Sequence, residues 1–371
     1  MKTIGVDLGT TNTLAACEGK LLCPPGRRLD CALVPSVVAY LPNGAVVVGE
    51  AARRRRPIDP KNTLFSAKRV IGRPWLAYET ARFRQNYPFE FVRGPGDTVG
   101  FQTRRGLVTP VDAAVEILEF LCRRTVVAPQ AYRALITVPA QFDPKQRAAT
   151  IEVGRAVGFA DVAVLDEPIA TGVAYAHAGV ADVRYAVVYD LGGGTFDLAV
   201  LDCSHKPHRV VAHGGDAYLG GDDVDRALAT WVGDHVLEQH HWDLRSDAEV
   251  FDRLVIEVER AKQRLTIAAE TTVDLGQVDP ASPLATTKIQ MSRPVLEQAC
   301  RPLVQRTFGI CDEVLSQAGL RRDAVGAVLL AGGSTALPMV RRDVARYFGQ
   351  PPHASFDPME VVALGASLAA G

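Results

Sequence analysis

The stretch Asp7-Leu8-Gly9-Thr10-Thr11-Asn12-Thr13 comes back, 183 positions later, as Asp190-Leu191-Gly192-Gly193-Gly194-Thr195-Phe196. Each copy follows a β-branched apolar run, Thr3–Leu8 in one case and Tyr185–Tyr189 in the other, and each leads into a second apolar run. That pattern predicts a buried strand, a tight turn and another strand. Glycines in such a turn let backbone N–H groups close on an anion, and threonine hydroxyls add donors. The Asp at the strand end is suited to holding Mg²⁺ through water. One glycine-rich turn is ordinarily only a turn. Two of them at one offset predict a polyphosphate gripped from both sides.

A second pair of segments repeats at nearly the same distance. Glu167-Pro168-Ile169-Ala170-Thr171-Gly172-Val173-Ala174 resembles Asp357-Pro358-Met359-Glu360-Val361-Val362-Ala363-Leu364, with the prolines 190 positions apart. Two unrelated motifs sharing an offset point to duplication of a whole lobe, and the period is far too long for a solenoid. Further strands are expected at Ala134–Val138, Val162–Leu165, Leu198–Leu201 and Val325–Leu330. Helices are expected at Val111–Arg124, Pro144–Val157 and Arg293–Gln317, so strands alternate with helices in the α/β manner. Lobe I is expected over 1–181, with an insertion at about 40–108 and completion by 355–371. Lobe II is expected over 182–354, with an insertion at about 222–299 that carries helices and a short β excursion at Thr271–Ile289.

The length of 371 residues suits two such lobes. Lys+Arg 41 against Asp+Glu 42 leaves a net charge of -1, which argues against a protein built to capture nucleic acid electrostatically. Hydrophobic content of 47% with 22% charged residues excludes global disorder. The arginine run Arg53–Arg56 reads as a solvated helix end. Cys17, Cys23, Cys31, Cys122, Cys203, Cys300 and Cys311 form no CxxC pair and read as reduced thiols of a cytoplasmic protein. The N-terminus carries Asp7 where a signal peptide needs an apolar core, and no apolar stretch is long enough for a membrane span. No GxxxxGK[ST], HExxH or GxSxG is present. Gly94–Gly100 reads as a loop, and His240-His241 with Asp243 reads as an exposed helix end ahead of a metal fragment. Gly332-Gly333-Ser334-Thr335, between a strand and a helix-like segment, puts backbone donors at a helix N-terminus.

Taken together, Ile4–Asn12, Asn62–Arg73, Val138–Phe142, Glu167-Pro168, Asp190–Asp197, Leu219–Asp223 and Gly332–Thr335 resemble the heat shock protein 70 family. They occur in that family's order, cover essentially the whole chain, and match only its nucleotide-binding domain. The resemblance implies an actin-like ATPase fold of two duplicated ribonuclease H-like lobes, with inserted subdomains around a nucleotide cleft. It implies phosphate binding by Gly9, Thr10, Thr11 and Asn12, and by Gly192, Gly193, Gly194 and Thr195. Asp7 and Asp190 would organise Mg²⁺ mainly through water, and Asp197 would order further cations, K⁺ included. Lys68 would reach the γ-phosphate, Glu167 would position or deprotonate the attacking water, and Thr195 would assist turnover. Gly220, Gly221, Asp222, Glu259, Lys262 and Thr266 would hold the nucleoside, with Gly332, Gly333 and Ser334 opposite. Pro139 and Arg147 match a relay to the far face of the lobe.

The chain also departs from the family pattern. Gln263 and Ala336 stand where arginines often clamp adenine, although Arg264 is adjacent. Met359 replaces an acid, and Ala163, Asp166 and Ile169 replace Arg, Asn and Thr on the J-domain docking face. The chain ends at Leu368-Ala369-Ala370-Gly371, ahead of the family's linker and peptide-binding domain, so coupling to peptide release within it is not expected. The expected function is slow Mg²⁺-dependent hydrolysis of ATP to ADP that drives a conformational switch. The expected partners are a co-chaperone, an exchange factor or a separate substrate-binding chain, with no nucleic acid and no membrane. A filament-forming ATPase of the bacterial cytoskeletal kind is the alternative, and a nucleotide-binding scaffold with little turnover is another. The segment around Lys68 and the form Gly-Gly-Gly-Thr-Phe-Asp favour the chaperone.

Overall fold

The computed structural model describes all residues except 27–31, 181–182, 206–207 and 370–371. Cys31, Ala370 and Gly371 therefore lie outside the described residues. The two quoted hairpins form with the same register. Strand Lys2–Leu8 runs antiparallel to Asn12–Cys17 out to the pair Leu8–Thr13, and Tyr185–Leu191 runs antiparallel to Phe196–Asp202 out to Leu191–Phe196. Asp7 and Asp190 thus occupy equivalent sites, one residue before the last pair of each ladder. Each leading strand also has a parallel neighbour, Tyr132–Val138 for the first and Ala327–Ala331 for the second. The duplication read from the motifs is therefore a duplication of sheet topology.

The first sheet runs in the order Asp161–Asp166, Tyr132–Val138, Lys2–Leu8, Asn12–Cys17, Lys20–Leu21, and Val34–Pro35 also pairs with Asn12–Cys17. The second runs Arg209–Asp216, Phe196–Asp202, Tyr185–Leu191, Ala327–Ala331. Strands with both faces covered read as continuous apolar runs, and Ile4, Val6, Val187, Val188, Val328 and Leu330 are all buried. Between the sheets lie helix Glu167–His177 and helix Val361–Leu368. They meet in a core that includes Ala170, Ala174, Tyr175 and Ala366. Their crossing is close enough that a Cβ on Gly365 would overlap the carbonyl of Ala170. Gly365→Ala is expected to lower stability by about 3 kcal/mol or to prevent folding, because neither helix backbone can yield. Thermal denaturation of the variant checks this.

Helix ends follow local chemistry. Helix Pro144–Val157 starts at Asp143, whose carboxylate accepts from the N–H groups of Lys145 and Gln146 at 2.7 and 2.9 Å. It stops at Gly158, φ 92°. The first insertion contains two small antiparallel sheets and helix Tyr78–Asn86, wrapped around a cluster of Phe65, Phe83, Tyr87, Phe89, Phe91 and Phe101. The second contains helices Gly221–His240 and Ala248–Leu265 and a hairpin of Glu270–Asp274 with Lys288–Ser292, one residue longer at its start and three at its end than expected. No helix among the described residues is long and apolar enough to cross a membrane.

One expectation fails. Arg53 and Arg54 are solvated and pair with Glu50, but the Arg56 side chain is only 14% exposed. Helix Glu50–Arg53 ends three residues before it, and the turn that follows carries Arg56 across to the other insertion. There its guanidinium grips Asp252 at 2.7 and 3.2 Å and lies over the ring of Phe65 at 3.7 Å.

Candidate active site

The two hairpins touch across the gap between the sheets. A Cβ on Gly193 would overlap the Thr11 hydroxyl, and one on Gly194 would lie 2.6 Å from the Thr10 methyl and 2.9 Å from Arg69 Nε. Only glycine permits that approach. The Thr11 Oγ1 is buried and has no hydrogen-bond partner, so it is an orphan donor in the cradle. Gly9, Thr10, Thr11, Asn12, Gly192, Gly193, Gly194 and Thr195 all line one cleft, together with Asp7, Asp190, Lys68, Glu167, Gly332, Gly333 and Met359.

Lys68 is delivered by a short 3₁₀ helix, Ala67–Val70, that begins at Ser66 in the left-handed region (φ 54°). Glu167 opens helix Glu167–His177 directly after strand Asp161–Asp166, with Pro168 at the first turn. Their side chains meet at 2.8 Å, and both are largely buried. Burial opposes the Lys68 charge, but Glu167, Asp7 and Asp197 outweigh it and raise the ammonium above its ordinary value.

Four carboxyl groups face this single ammonium. Burial and the charge of Glu167 push Asp7 and Asp190 well above the usual carboxylate range. Burial, then Glu167, pushes Asp197 up to about 7, against the pull of Lys68 and hydrogen bonds with Thr195 and Gln141. The site carries surplus negative charge and only hard oxygen donors, the chemistry of a magnesium site. Among the described residues no group of three or more His, Cys, Asp or Glu is placed to hold a metal ion directly.

The raised Asp197 makes a prediction for stability. A carboxyl at about 7 when folded and near 3.8 when unfolded favours the folded state more as pH falls. Between pH 7.5 and 5.5 the nucleotide-free chain should gain about 2 kcal/mol from this group. Asp197→Asn should remove that gain, as urea unfolding at the two pH values would show.

The residues expected at the nucleoside fall into three groups. Gly220 caps helix Gly221–His240 against the second hairpin, where a Cβ on it would lie 2.6 Å from the Gly193 carbonyl. Gly221 lies beside Ser334 and Lys262, the Ser334 hydroxyl donates to the Gly192 carbonyl at 2.8 Å, and Gly332 abuts Asp190. Glu259, Lys262 and Thr266 share one face of helix Ala248–Leu265 and its end, but each is engaged. Lys262 binds Asp225 at 2.8 Å and the Gly221 carbonyl at 3.1 Å, Glu259 accepts from Gln263, and Thr266 donates to the Gln263 carbonyl. Asp222 is turned across the cleft to Ser66 and Arg69, at 3.2 and 3.1 Å. Arg264 does not face the cleft rim: it donates to Thr271 Oγ1 and the Thr272 carbonyl at 2.7 and 2.9 Å. Gly333–Ala336 is a 3₁₀ turn ahead of helix Pro338–Phe348, where a direct helix start was expected.

Pro139 ends strand Tyr132–Val138. Arg147 donates to the carbonyls of Ala140 and Phe142 at 3.2 and 2.9 Å and pairs with Asp166, the residue before Glu167, at 2.6 Å. That places Pro139 and Arg147, the residues expected to relay, against the loop that supplies Gln141 to Asp197.

Sequence reading missed Gln141, Thr137, which bonds Asp7, and Arg69, whose side chain is 1% exposed and pairs with Asp222 and Asp223 at 3.1 and 3.6 Å. Gln141 and Arg69 lie inside the quoted motifs, so their positions were signalled and their partners were not.

A family model described as Hsp70 protein matches residues 3–371. Chaperone protein HscA homologs from Burkholderia mallei (strain SAVP1) and Burkholderia pseudomallei (strain 668) are 40% identical to this chain over 372 residues. One from Burkholderia multivorans (strain ATCC 17616 / 249) is 40% identical over 374. Each match covers 99% of this chain, which spans 58% of the length of these relatives. The duplicated sheets, the paired glycine hairpins and these matches agree: the chain belongs to the Hsp70 family of ATP-binding chaperones and corresponds to its actin-like nucleotide-binding part.

Proposed function

We propose that this chain binds ATP with Mg²⁺ between its two glycine hairpins and hydrolyses it slowly to ADP and phosphate. The observation that carries this reading is the buried Lys68–Glu167 pair, held at 2.8 Å in the cleft the hairpins enclose. The backbone donors of Gly9–Asn12 and Gly192–Thr195 bind the phosphates, and the free Thr11 hydroxyl finds its acceptor there. Asp7 and Asp190 would hold Mg²⁺ mainly through water, and the ion would supply neutralisation of phosphate charge. Lys68 stabilises charge on the γ-phosphoryl oxygens as the bond to the β-phosphate oxygen breaks. Glu167 orients the attacking water and accepts its proton. Thr195 and Gln141 hold Asp197, which orders K⁺. Turnover is slow because Glu167 is neutralised by Lys68 until the nucleotide draws that ammonium away.

Gly220, Gly221, Lys262, Gly332, Gly333 and Ser334 supply the nucleoside face, while Glu259 and Thr266 exchange their internal bonds for the sugar and base. Residues 1–181 with 355–371 and 182–354 act as two bodies whose closure follows the nucleotide. Helix Val361–Leu368 packing on the first sheet supports that division. Pro139 and Arg147 transmit the state of Glu167 outward. The chain works as a cytoplasmic chaperone with a co-chaperone, an exchange factor or a separate substrate-binding chain, and the thiols of Cys17, Cys122, Cys203, Cys300 and Cys311 are in keeping with that compartment.

The test is release of ADP and phosphate from ATP by the purified chain with Mg²⁺ and K⁺. Measurable turnover dependent on Mg²⁺ supports the reading, and none overturns it. Nucleotide-dependent light scattering at tens of micromolar chain should stay flat, and growth of scattering would favour the filament alternative.

A further inference from the structure

The segment Ala217-Tyr218-Leu219 joins strand Arg209–Asp216 to helix Gly221–His240, both of the second lobe. Yet the Tyr218 side chain belongs to the core of the first lobe. It is 4% exposed and packs with the cluster that includes Phe65, Val70 and Phe83. Two guanidiniums of the first insertion lie over its ring, Arg69 at 4.8 Å and Arg82 at 4.4 Å. Its hydroxyl donates to the carbonyl of Glu79, and the neighbouring Ala217 carbonyl accepts from Arg69 at 2.8 Å. A second-lobe aromatic is thus plugged into a first-lobe socket.

The socket is one residue from the chemistry. Arg69 follows Lys68 in the same short 3₁₀ helix. The Arg69 guanidinium also lies against Gly194 of the second hairpin, and its Nε has no hydrogen-bond partner. The ring of Tyr218 therefore closes one side of the guanidinium's burial, while Asp222 and Asp223 hold the other. A side chain as long as Arg69 keeps one geometry only when it is walled in this way.

We propose that Tyr218 is a positioning residue: acting through Arg69, it holds the Lys68 segment in its catalytic place when the lobes are closed, and its withdrawal from the socket is required for the cleft to open. This rests on the function proposed above. With the plug seated, Lys68 is presented to Glu167 and the nucleotide is trapped. With the plug out, the 3₁₀ helix loses its wall and the two insertions separate.

The experiment compares wild type, Tyr218→Ala, Tyr218→Leu and Tyr218→Phe. It reads single-turnover hydrolysis of ATP and dissociation of a fluorescent ADP analogue, with the unfolding midpoint as a control. Tyr218→Ala should release the ADP analogue about tenfold faster, the equivalent of losing two cation–π faces, and hydrolyse more slowly by about fivefold. Tyr218→Phe keeps both faces and should stay within about threefold of wild type on both rates. Tyr218→Leu fills the socket without an aromatic face and should shift both rates in the alanine direction, which keeps the inference testable if the alanine variant does not fold. A lowered unfolding midpoint with both rates unchanged in the alanine or leucine variant would overturn the inference alone. Failure of the wild-type chain to bind nucleotide would overturn the proposed function and this inference with it.

Discussion

Lys68→Ala should abolish measurable ATP hydrolysis while leaving ATP bound. Among the described residues, Lys68 is the one cation lining the cleft, which it shares with Asp7, Glu167 and Asp190. In the proposed transition state it is the protein group that meets the negative charge spreading over the γ-phosphoryl oxygens. Removing one preorganised stabiliser of that kind costs about 10²–10³ in rate. Binding depends instead on the backbone donors of two hairpins anchored in separate sheets, which the substitution does not touch, so affinity should fall by less than about tenfold. The variant also leaves Glu167 without its partner at 2.8 Å. Glu167→Gln is the complementary probe: it keeps the shape, loses the proton acceptor, and should slow the step by about 10²–10⁴. Quench-flow measurement of a single turnover, beside equilibrium nucleotide binding, separates the two effects. Equal loss of binding and hydrolysis in both variants would contradict the roles assigned.

Asp252→Ala should make nucleotide leave much faster. Arg56 and Asp252 come from different insertions and form a two-pronged pair at 2.7 and 3.2 Å whose side chains are 14% and 9% exposed. A surface pair would be worth little, but truncating one partner of a desolvated pair costs about 3–5 kcal/mol because the other charge is left unpaired. Here the penalty is relieved by letting the insertions part and Arg56 reach water, so it falls on closure of the cleft more than on folding. Dissociation of an ADP analogue should accelerate about tenfold to a hundredfold. Arg56→Ala should act in the same direction. The double variant should be no faster than the worse single one, because the pair is lost only once. Stopped-flow dissociation of all three variants checks this, and additive effects would show that the two residues work separately.

The legible parts of this molecule are those written locally. The hairpins at Asp7 and Asp190 follow from strand, glycine turn and strand, and their register came out identical because the spacing is identical. Helices Pro144–Val157 and Arg293–Gln317 begin and end where expected, the first because Asp143 and Gly158 cap it through contacts within a few residues. Arg56 misled because its partner is 196 positions away and a run of arginines carries no sign of which member is buried. Arg264 stood beside the nucleoside position in sequence, but side chains one residue apart on a helix point about 100° apart, and it bonds the hairpin behind. Asp222, expected at the nucleoside, is drawn to the buried Arg69 by charge. Tyr218 sat between quoted motifs and gave no signal, since its socket is made by first-lobe residues far from it in sequence.

The most direct test is equilibrium binding of ATP to the purified chain by calorimetry, with Mg²⁺ and with Mg²⁺ chelated. One nucleotide should bind per chain, more tightly with Mg²⁺ because four clustered carboxyl groups repel a bare triphosphate. Absence of binding at millimolar ATP, or binding indifferent to Mg²⁺, would contradict it.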